Sequence, residues 1–152
     1  MDQELFEVSE KISRFIAGRD GEANESQFNE LALEAFRCQY RLIEPYRKLC
    51  QRRGRGPENV SSWRQIPAVP ADALKHFFLF AGGEGEVVRT FKSSGTTQVG
   101  KPSCAHFSET GLHLMNVSVE TNARNRLFLP GKPSFPAPRP QSGSQWHDLT
   151  CA

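Results

Sequence analysis

The sequence predicts an α/β fold whose N-terminal portion is helical. Three observations support this prediction. Apolar residues recur at helical spacing over roughly the first fifty positions. A strand pattern at residues 86–91 then leads into a loop rich in Ser, Thr, Gly and Lys, and residues 103–107 can return beside it as a second strand. With 152 residues, the chain is long enough for one domain with a hydrophobic core.

Helices are predicted for most of the first fifty residues. The first covers residues 2–17 and ends at Gly18. Its packing face consists of Leu5, Val8, Ile12, Phe15 and Ile16. Ser26 is expected to cap a second helix, and Pro45 is expected to end or kink it, because the residue before a proline avoids helical angles. Residues 46–51 can form a separate short helix.

The middle of the chain is predicted to be mostly irregular. Residues 63–70 are predicted to be extended, because the residue before each of two prolines is restricted to extended angles, and residues 71–76 fit one short helical turn. The apolar patch at residues 77–80 is interpreted as core or as an interface. His76 beside it could act as a base, although a structural role is the simpler interpretation. Residues 82–85 are predicted to form a turn before the first strand.

A last helix and a tail are predicted after the second strand. Ser108 is expected to cap the helix, which exposes His113. Its core face is assigned to Leu112, Met115 and Val119. Residues 123–152 are predicted to be a proline-rich, poorly packed tail, because prolines break helices and central strands. Such a tail could serve as a proline-rich ligand for an adaptor domain.

Charge and cysteine content exclude several classes of function. The net charge is +2, so the overall field favours no class of partner. A basic cluster consists of Arg47, Lys48, Arg52, Arg53 and Arg55. No aromatic residue interleaves with it, so a solvated helix end is favoured and no nucleic-acid partner is predicted. The four cysteines are widely spaced and form no zinc or disulfide pattern.

The cysteines and the N-terminus suggest a cytoplasmic protein. Cys38 and Cys50 fall on helical segments and are predicted to be core thiols. Cys104 could be a nucleophile, but no neighbouring residue predicts a lowered pKa for its thiol. The N-terminus is acidic and does not fit a signal peptide, and no apolar run reaches membrane-spanning length. A cytoplasmic location without a membrane span is therefore expected.

The loop between the two strands has the composition of a phosphate-binding site. Hydroxyl groups come from Ser93, Ser94, Thr96 and Thr97. Gly95 and Gly100 permit angles that direct backbone N–H groups at an anion, and Lys92 and Lys101 add positive charge. An ordinary polar surface turn would have a similar composition, so both interpretations stay open at this point.

A P-loop is the weaker of two phosphate-binding patterns for this segment. Gly95, Gly100 and Lys101 fit G-x-x-x-x-G-K-[ST], but Pro102 stands where a hydroxyl should bind magnesium. Pro102 also lacks the N–H group that this position should direct at a phosphate. The preceding strand carries Arg89, whereas a buried parallel strand should be almost wholly apolar.

The second pattern fits better and indicates a family. Residues 93–97 read Ser-Ser-Gly-Thr-Thr and are followed by Lys101, which resembles the signature [ST]-S-G-T-T-G-x-x-K of adenylate-forming enzymes, with Gln98 at the second glycine. Upstream stand Trp63, Ile66-Pro67-Ala68-Val69-Pro70, Lys75-His76-Phe77-Phe78 and Val88-Arg89-Thr90-Phe91. Together these segments resemble the N-terminal third of LuxE-type acyl-protein synthetases, relatives of phenylacetate-CoA ligase. The resemblance covers roughly residues 25–122.

The resemblance implies a fatty-acid ligase. In that family a fatty-acid carboxylate attacks the α-phosphate of ATP and releases pyrophosphate, and the acyl group passes to a protein thiol and on to a reductase partner. The residues that would bind the ATP phosphates are Ser93, Ser94, Gly95, Thr96, Thr97 and Lys101. Their role would be charge neutralisation and positioning. Mg²⁺ is implied with the triphosphate, although the motif assigns it no ligand.

The resemblance also implies that the adenylate-forming domain is incomplete. Residues 1–122 would be its N-terminal part and residues 123–152 the tail. The family's adenine and ribose sites, catalytic lysine and acyl-accepting cysteine come from later segments. We therefore expect little or no turnover from the chain alone and marginal stability. Two alternatives remain: a fragment similar to an acyl-CoA ligase, and a non-catalytic module that binds another chain through exposed helices and residues 77–80.

Overall fold

The fold is mainly helical, with one small two-stranded sheet, which is consistent with the predicted α/β class. The computed structural model describes residues 2–18, 24–93 and 102–127, without the side chains of 125–127. Within these ranges the α-helices are α1 (Gln3–Ala17), α2 (Glu25–Leu42), α3 (Glu44–Arg52) and α4 (Glu109–Leu127). The strands are β1 (Arg89–Lys92) and β2 (Cys104–Phe107), and short 3₁₀ turns cover Trp63–Gln65, Ala71–Lys75 and Glu84–Glu86.

The first two helices begin at side-chain caps. The carboxylate of Asp2 accepts a hydrogen bond from the Leu5 N–H and caps α1, which begins at Gln3, one residue later than predicted. The amide oxygen of Asn24 accepts hydrogen bonds from the N–H groups of Ser26 and Gln27, which starts α2. The prediction of Ser26 as the cap is therefore wrong. Asn24 stands two residues earlier, and its side-chain oxygen already accepts from the first turn's N–H groups.

The third helix is separated from α2 by one extended residue. Ile43 has φ −105° and ψ 96°, and Pro45 lies in the first turn of α3. The break predicted from Pro45 is confirmed, one residue earlier than expected. At the other end, Gly54 has φ +61° and donates its N–H to Gln51, while Arg55 donates to Cys50. These two bonds form a Schellman motif, which needs a left-handed residue at the position of Gly54.

The hydrophobic core lies around α2 and α3. Its buried members are Phe36, Tyr46, Cys50 and Val60, and Leu33, Tyr40, Ile43, Leu49 and Ile66 pack against them. Phe36 contacts the rings of Tyr40 and Tyr46 edge to face, with centroids 5.9 and 6.2 Å apart. Both Cys38 and Cys50 are fully buried, which confirms the prediction of core thiols. Burial raises the pKa of each thiol and so disfavours the reactive thiolate.

The remaining elements pack around α1 and the hairpin. Helix α1 contacts both α2 and α4, and β2 contacts α4 and the Ala71–Lys75 turn. Helix α4 begins where predicted, because the Ser108 hydroxyl accepts a hydrogen bond from the Gly111 N–H. His113 is exposed as predicted. Val119 is 62% exposed, so its assignment to a core face is wrong: beyond Met115 the helix turns that position towards solvent.

The helix α4 also continues past the boundary predicted at residue 122. It extends to Leu127, because the first of the tail prolines, Pro130, comes only later. The residues after Leu127 lie outside the described ranges, so the division into a domain and a tail stays a prediction. Among the described helices, none combines the length and the apolar character that crossing a bilayer requires.

Candidate functional site

The candidate site is the loop that connects β1 to β2. The two strands pair antiparallel, with Arg89 opposite Phe107 and Lys92 opposite Cys104. This confirms the predicted hairpin, although β1 begins at Arg89 instead of Glu86, since Glu84–Glu86 forms a 3₁₀ turn.

Ser93 and Ser103 close the hairpin at the base of the loop. The Ser93 N–H donates to the Ser103 carbonyl at 3.0 Å, and the Ser103 N–H donates to the Ser93 hydroxyl oxygen at 3.1 Å. Two hydrogen bonds therefore fix the point where the candidate loop leaves the sheet. Of the predicted site residues, the described ranges include Ser93 alone; Ser94, Gly95, Thr96, Thr97 and Lys101 lie outside them. Their assignment stays a prediction.

The strands present different side chains on their two faces. On one face Thr90 lies opposite His106, and the Thr90 hydroxyl and His106 Nδ1 are 2.9 Å apart. The ring of Phe78 lies over this histidine, with centroids 4.7 Å apart. On the other face the rings of Phe91 and Phe107 meet edge to face at 5.3 Å. The histidine is therefore held between a cross-strand hydrogen bond and an aromatic ring, a contact that the sequence did not indicate.

A cavity of about 420 Å³ is lined by residues of the hairpin and of the segment around the Ala71–Lys75 turn. Its walls include Leu74, Phe77, Phe78, Val87, Cys104 and His106. Lys75, His76 and Glu84 contribute charged or polar groups to the same cavity. Phe77 is 53% exposed, so the patch at residues 77–80 is only partly covered.

His76, the candidate base, and Cys104, the candidate nucleophile, line this cavity but differ in exposure. His76 is exposed, with Nε2 3.4 Å from a carboxylate oxygen of Asp72. Lys75 binds the other oxygen of Asp72 at 2.8 Å, and this hydrogen bond, together with a smaller effect of His76, lowers the pKa of the carboxyl group. Cys104 is 7% exposed, and its thiol lies 3.9 Å from the Pro102 carbonyl. A thiol so buried is poorly placed to act as a nucleophile.

The basic cluster is part of a solvated helix end, as the favoured interpretation predicted. Lys48 forms a 2.8 Å ion pair with Glu44 one turn earlier. Arg53 donates to the Ala68 carbonyl at 3.1 Å, and Arg47 donates to the Arg41 carbonyl at 3.0 Å. These contacts use two of the arginines to hold neighbouring backbone segments in place.

Within the described ranges, no three His, Cys, Asp or Glu side chains converge as a metal site would require. The sequence assigned no protein ligand to Mg²⁺, so the binding of Mg²⁺ stays a prediction.

Comparison with known proteins gives one partial similarity. A long-chain-fatty-acid–luciferin-component ligase of Photorhabdus luminescens is 34% identical to this chain over 67 residues. The chain resembles part of a fatty-acid ligase. The aligned residues are 44% of this chain and 57% of the relative, so the chain spans somewhat more than half of the relative's length. No protein-family profile matches the chain, and no solved structure matches it.

Proposed function

We propose that this chain is the N-terminal part of an ATP-dependent ligase that activates a long-chain fatty acid as its acyl-adenylate. The observation that carries the proposal is the similarity to a ligase whose name gives a long-chain fatty acid as its substrate. The Ser-Ser-Gly-Thr-Thr motif with Lys101 supports it, because hydroxyls, glycines and a lysine suit a triphosphate.

The hairpin supports the proposal on physical grounds. Phosphoryl and adenylyl transfer depend mainly on charge neutralisation and on in-line positioning. A loop anchored at both ends by the Ser93–Ser103 hydrogen bonds has fewer conformations to lose when it closes on phosphate oxygens. In this proposal Mg²⁺ accompanies ATP, and Lys101 contacts the β- and γ-phosphates. The acyl group then passes to a thiol, and a reductase is the expected later partner.

Retained activity can be tested by acid-dependent exchange of labelled pyrophosphate into ATP. Exchange that requires a long-chain fatty acid and is abolished by Lys101→Ala would show that the chain retains this activity on its own. Lys48→Ala is the matched control, because it removes a lysine that is 65% exposed and paired with Glu44. Absence of exchange at every protein concentration would rule out a chain that activates the acid alone.

A non-catalytic interaction module is the second candidate. The observation that favours it is apolar surface on and beside the hairpin, where Phe77, Val88 and Phe91 are 53%, 61% and 43% exposed. Exposed apolar patches of this kind mark protein interfaces in many proteins. Sedimentation velocity separates the candidates: concentration-dependent association that Phe77→Ser abolishes would support the module. A monodisperse monomer at all concentrations would count against it.

A further inference from the structure

An apolar groove lies between the first two helices and is lined by residues other than those considered so far. It has a volume of about 570 Å³ and is formed by α1, α2 and the Trp63–Gln65 turn. Its apolar walls consist of Ile12, Phe15, Ile16, Phe28, Leu31, Ala32, Ala35 and Trp63. This volume lies within the range of about 300–1,000 Å³ that is typical of small-molecule sites.

Hydrogen bonds through Asn29 connect the wall at Trp63 to α2. The Trp63 N–H donates to the side-chain oxygen of Asn29 at 2.7 Å, and the Asn29 amide donates to the Ser61 carbonyl at 3.3 Å. The ring of Trp63 meets that of Phe28 edge to face at 5.4 Å, and Phe28 meets Phe15 at 6.4 Å. Three aromatic rings in contact with one another therefore line the groove.

Two charged groups lie at the mouth of the groove. Arg64 donates a hydrogen bond to the carboxylate of Glu25, and both side chains are about two-thirds exposed. The guanidinium group also lies 4.6 Å from the centre of the Trp63 ring. The hydrogen bond from Arg64 lowers the pKa of Glu25, so the pair is ionised at neutral pH. An exposed ion pair contributes little to stability and exchanges readily.

We propose that this groove binds a long-chain aliphatic carboxylate, with its alkyl chain between α1 and α2 and its carboxylate on Arg64 in place of Glu25. The apolar walls match the alkyl chain, and the planar guanidinium group at the mouth matches a carboxylate. The choice of this ligand class rests on the proposed function. The groove is a different site from the loop. It is built from α1, α2 and residues 63–65. The loop is attached to the hairpin, whose strand β2 contacts α4 and residues 71–75.

Titration calorimetry of the whole chain without ATP tests this proposal, with dodecanoate and neutral dodecanol as probes. We expect one dodecanoate site. Arg64→Gln should weaken dodecanoate binding about tenfold, because a charge-assisted bidentate contact is lost. Glu25→Gln should strengthen it several-fold, because the competing carboxylate is removed. Neither change should affect dodecanol.

Two further variants complete the test. Ala32→Phe should block both probes, because it places a ring in the groove, and circular dichroism checks that it folds. Arg55→Gln is the control for the loss of an exposed arginine outside the groove and should leave binding unchanged.

Three results would overturn the proposal: no dodecanoate binding, binding that neither Arg64→Gln nor Glu25→Gln changes, or equal affinity for dodecanol. Because ATP is absent, none of these results bears on nucleotide binding by the loop. A chain that binds dodecanoate but not ATP would count against nucleotide binding by the loop and leave the groove assignment in place.

Discussion

Tyr46 is the residue that joins the core to the extended segment after the Trp63–Gln65 turn. Its side chain is 5% exposed, and its hydroxyl donates a hydrogen bond of 3.0 Å to the Pro67 carbonyl. Burial raises the pKa of this phenol well above its usual value of 10.0. The buried polar contact thus fixes the Ile-Pro-Ala-Val-Pro segment, which the sequence predicted to be extended without indicating what would hold it.

Tyr46→Phe should lower the free energy of unfolding by about 1 kcal/mol, because the buried Pro67 carbonyl loses its donor. Urea denaturation at pH 7 measures the effect. Tyr40→Phe, in a half-buried tyrosine of the same core, is the control and should have a smaller effect.

The stability difference between wild type and Tyr46→Phe should depend on pH. The folded-state pKa of Tyr46 is raised, so its contribution is complete below the unfolded value near 10.0 and is lost as pH rises above it. The difference between wild type and Tyr46→Phe should therefore shrink above pH 10. A constant difference across that range would contradict the assignment of a buried, protonated phenol.

The stabilisation that Asp2 contributes should be lost as pH falls, whereas that of Tyr46 is lost as pH rises. Hydrogen bonds from Arg41, and a smaller contribution from the Leu5 N–H, lower the pKa of its carboxyl group from 3.8 to about 2. A lowered folded-state pKa means that the stabilisation is present above 3.8 and is lost as pH falls towards 2. Asp2→Asn keeps a capping oxygen but loses the ion pair with Arg41.

We expect Asp2→Asn to have a lower thermal midpoint than wild type at pH 7, and the two midpoints to converge as pH approaches 2. Lys11→Gln, which breaks an exposed ion pair with Glu34, serves as a control and should show a smaller difference at pH 7. Convergence at a pH well above 3.8 would show that Asp2 is not paired as described.

At the scale of the element, the geometry of the end of α3 depends on Gly54. The Schellman motif needs Gly54 at φ +61°, a left-handed angle that residues with a Cβ avoid. A Cβ atom at this position would meet no neighbour within 4 Å, so the cost of a substitution is conformational and not steric.

Gly54→Ala should therefore destabilise the protein by about 1 kcal/mol, and Gly54→Asn by less, because asparagine tolerates left-handed angles. Gly83→Ala is the matched control: a Cβ atom there also meets nothing within 4 Å, and its φ is −81°. Equal effects of alanine at both glycines in urea denaturation would contradict the motif.

At the scale of the whole molecule, apolar periodicity predicted the helices well. Two errors concern the residue that caps α2 and the exposure of one position in α4. The Leu5–Ile16 pattern and the strand pair needed only spacing and turn chemistry, both of which are local. Asn24 caps α2 in place of Ser26, because its side-chain oxygen accepts from the N–H groups of the first turn, that of Ser26 included. Val119 has core spacing, but whether a helix position is covered depends on where the neighbouring element ends.

The candidate site was predicted from its composition and motif, and its residues beyond Ser93 lie outside the described ranges. The motif at residues 93–101 and the resemblance came from the sequence, and the hairpin that frames them is confirmed. The Thr90–His106–Phe78 contact and the groove between α1 and α2 were not predictable, because both depend on how separate segments approach each other. Arg64 and Glu25 are 39 residues apart, and no sequence pattern joins them.

Titration calorimetry with ATP and Mg²⁺ shows directly whether the loop between β1 and β2 binds ATP, as we propose. We expect one saturable site whose affinity falls at least about tenfold in Lys101→Ala, because a charged phosphate contact is lost. Lys48→Ala should leave that affinity unchanged. The absence of ATP binding, or equal affinity in wild type and Lys101→Ala, would show that the loop is not the phosphate site.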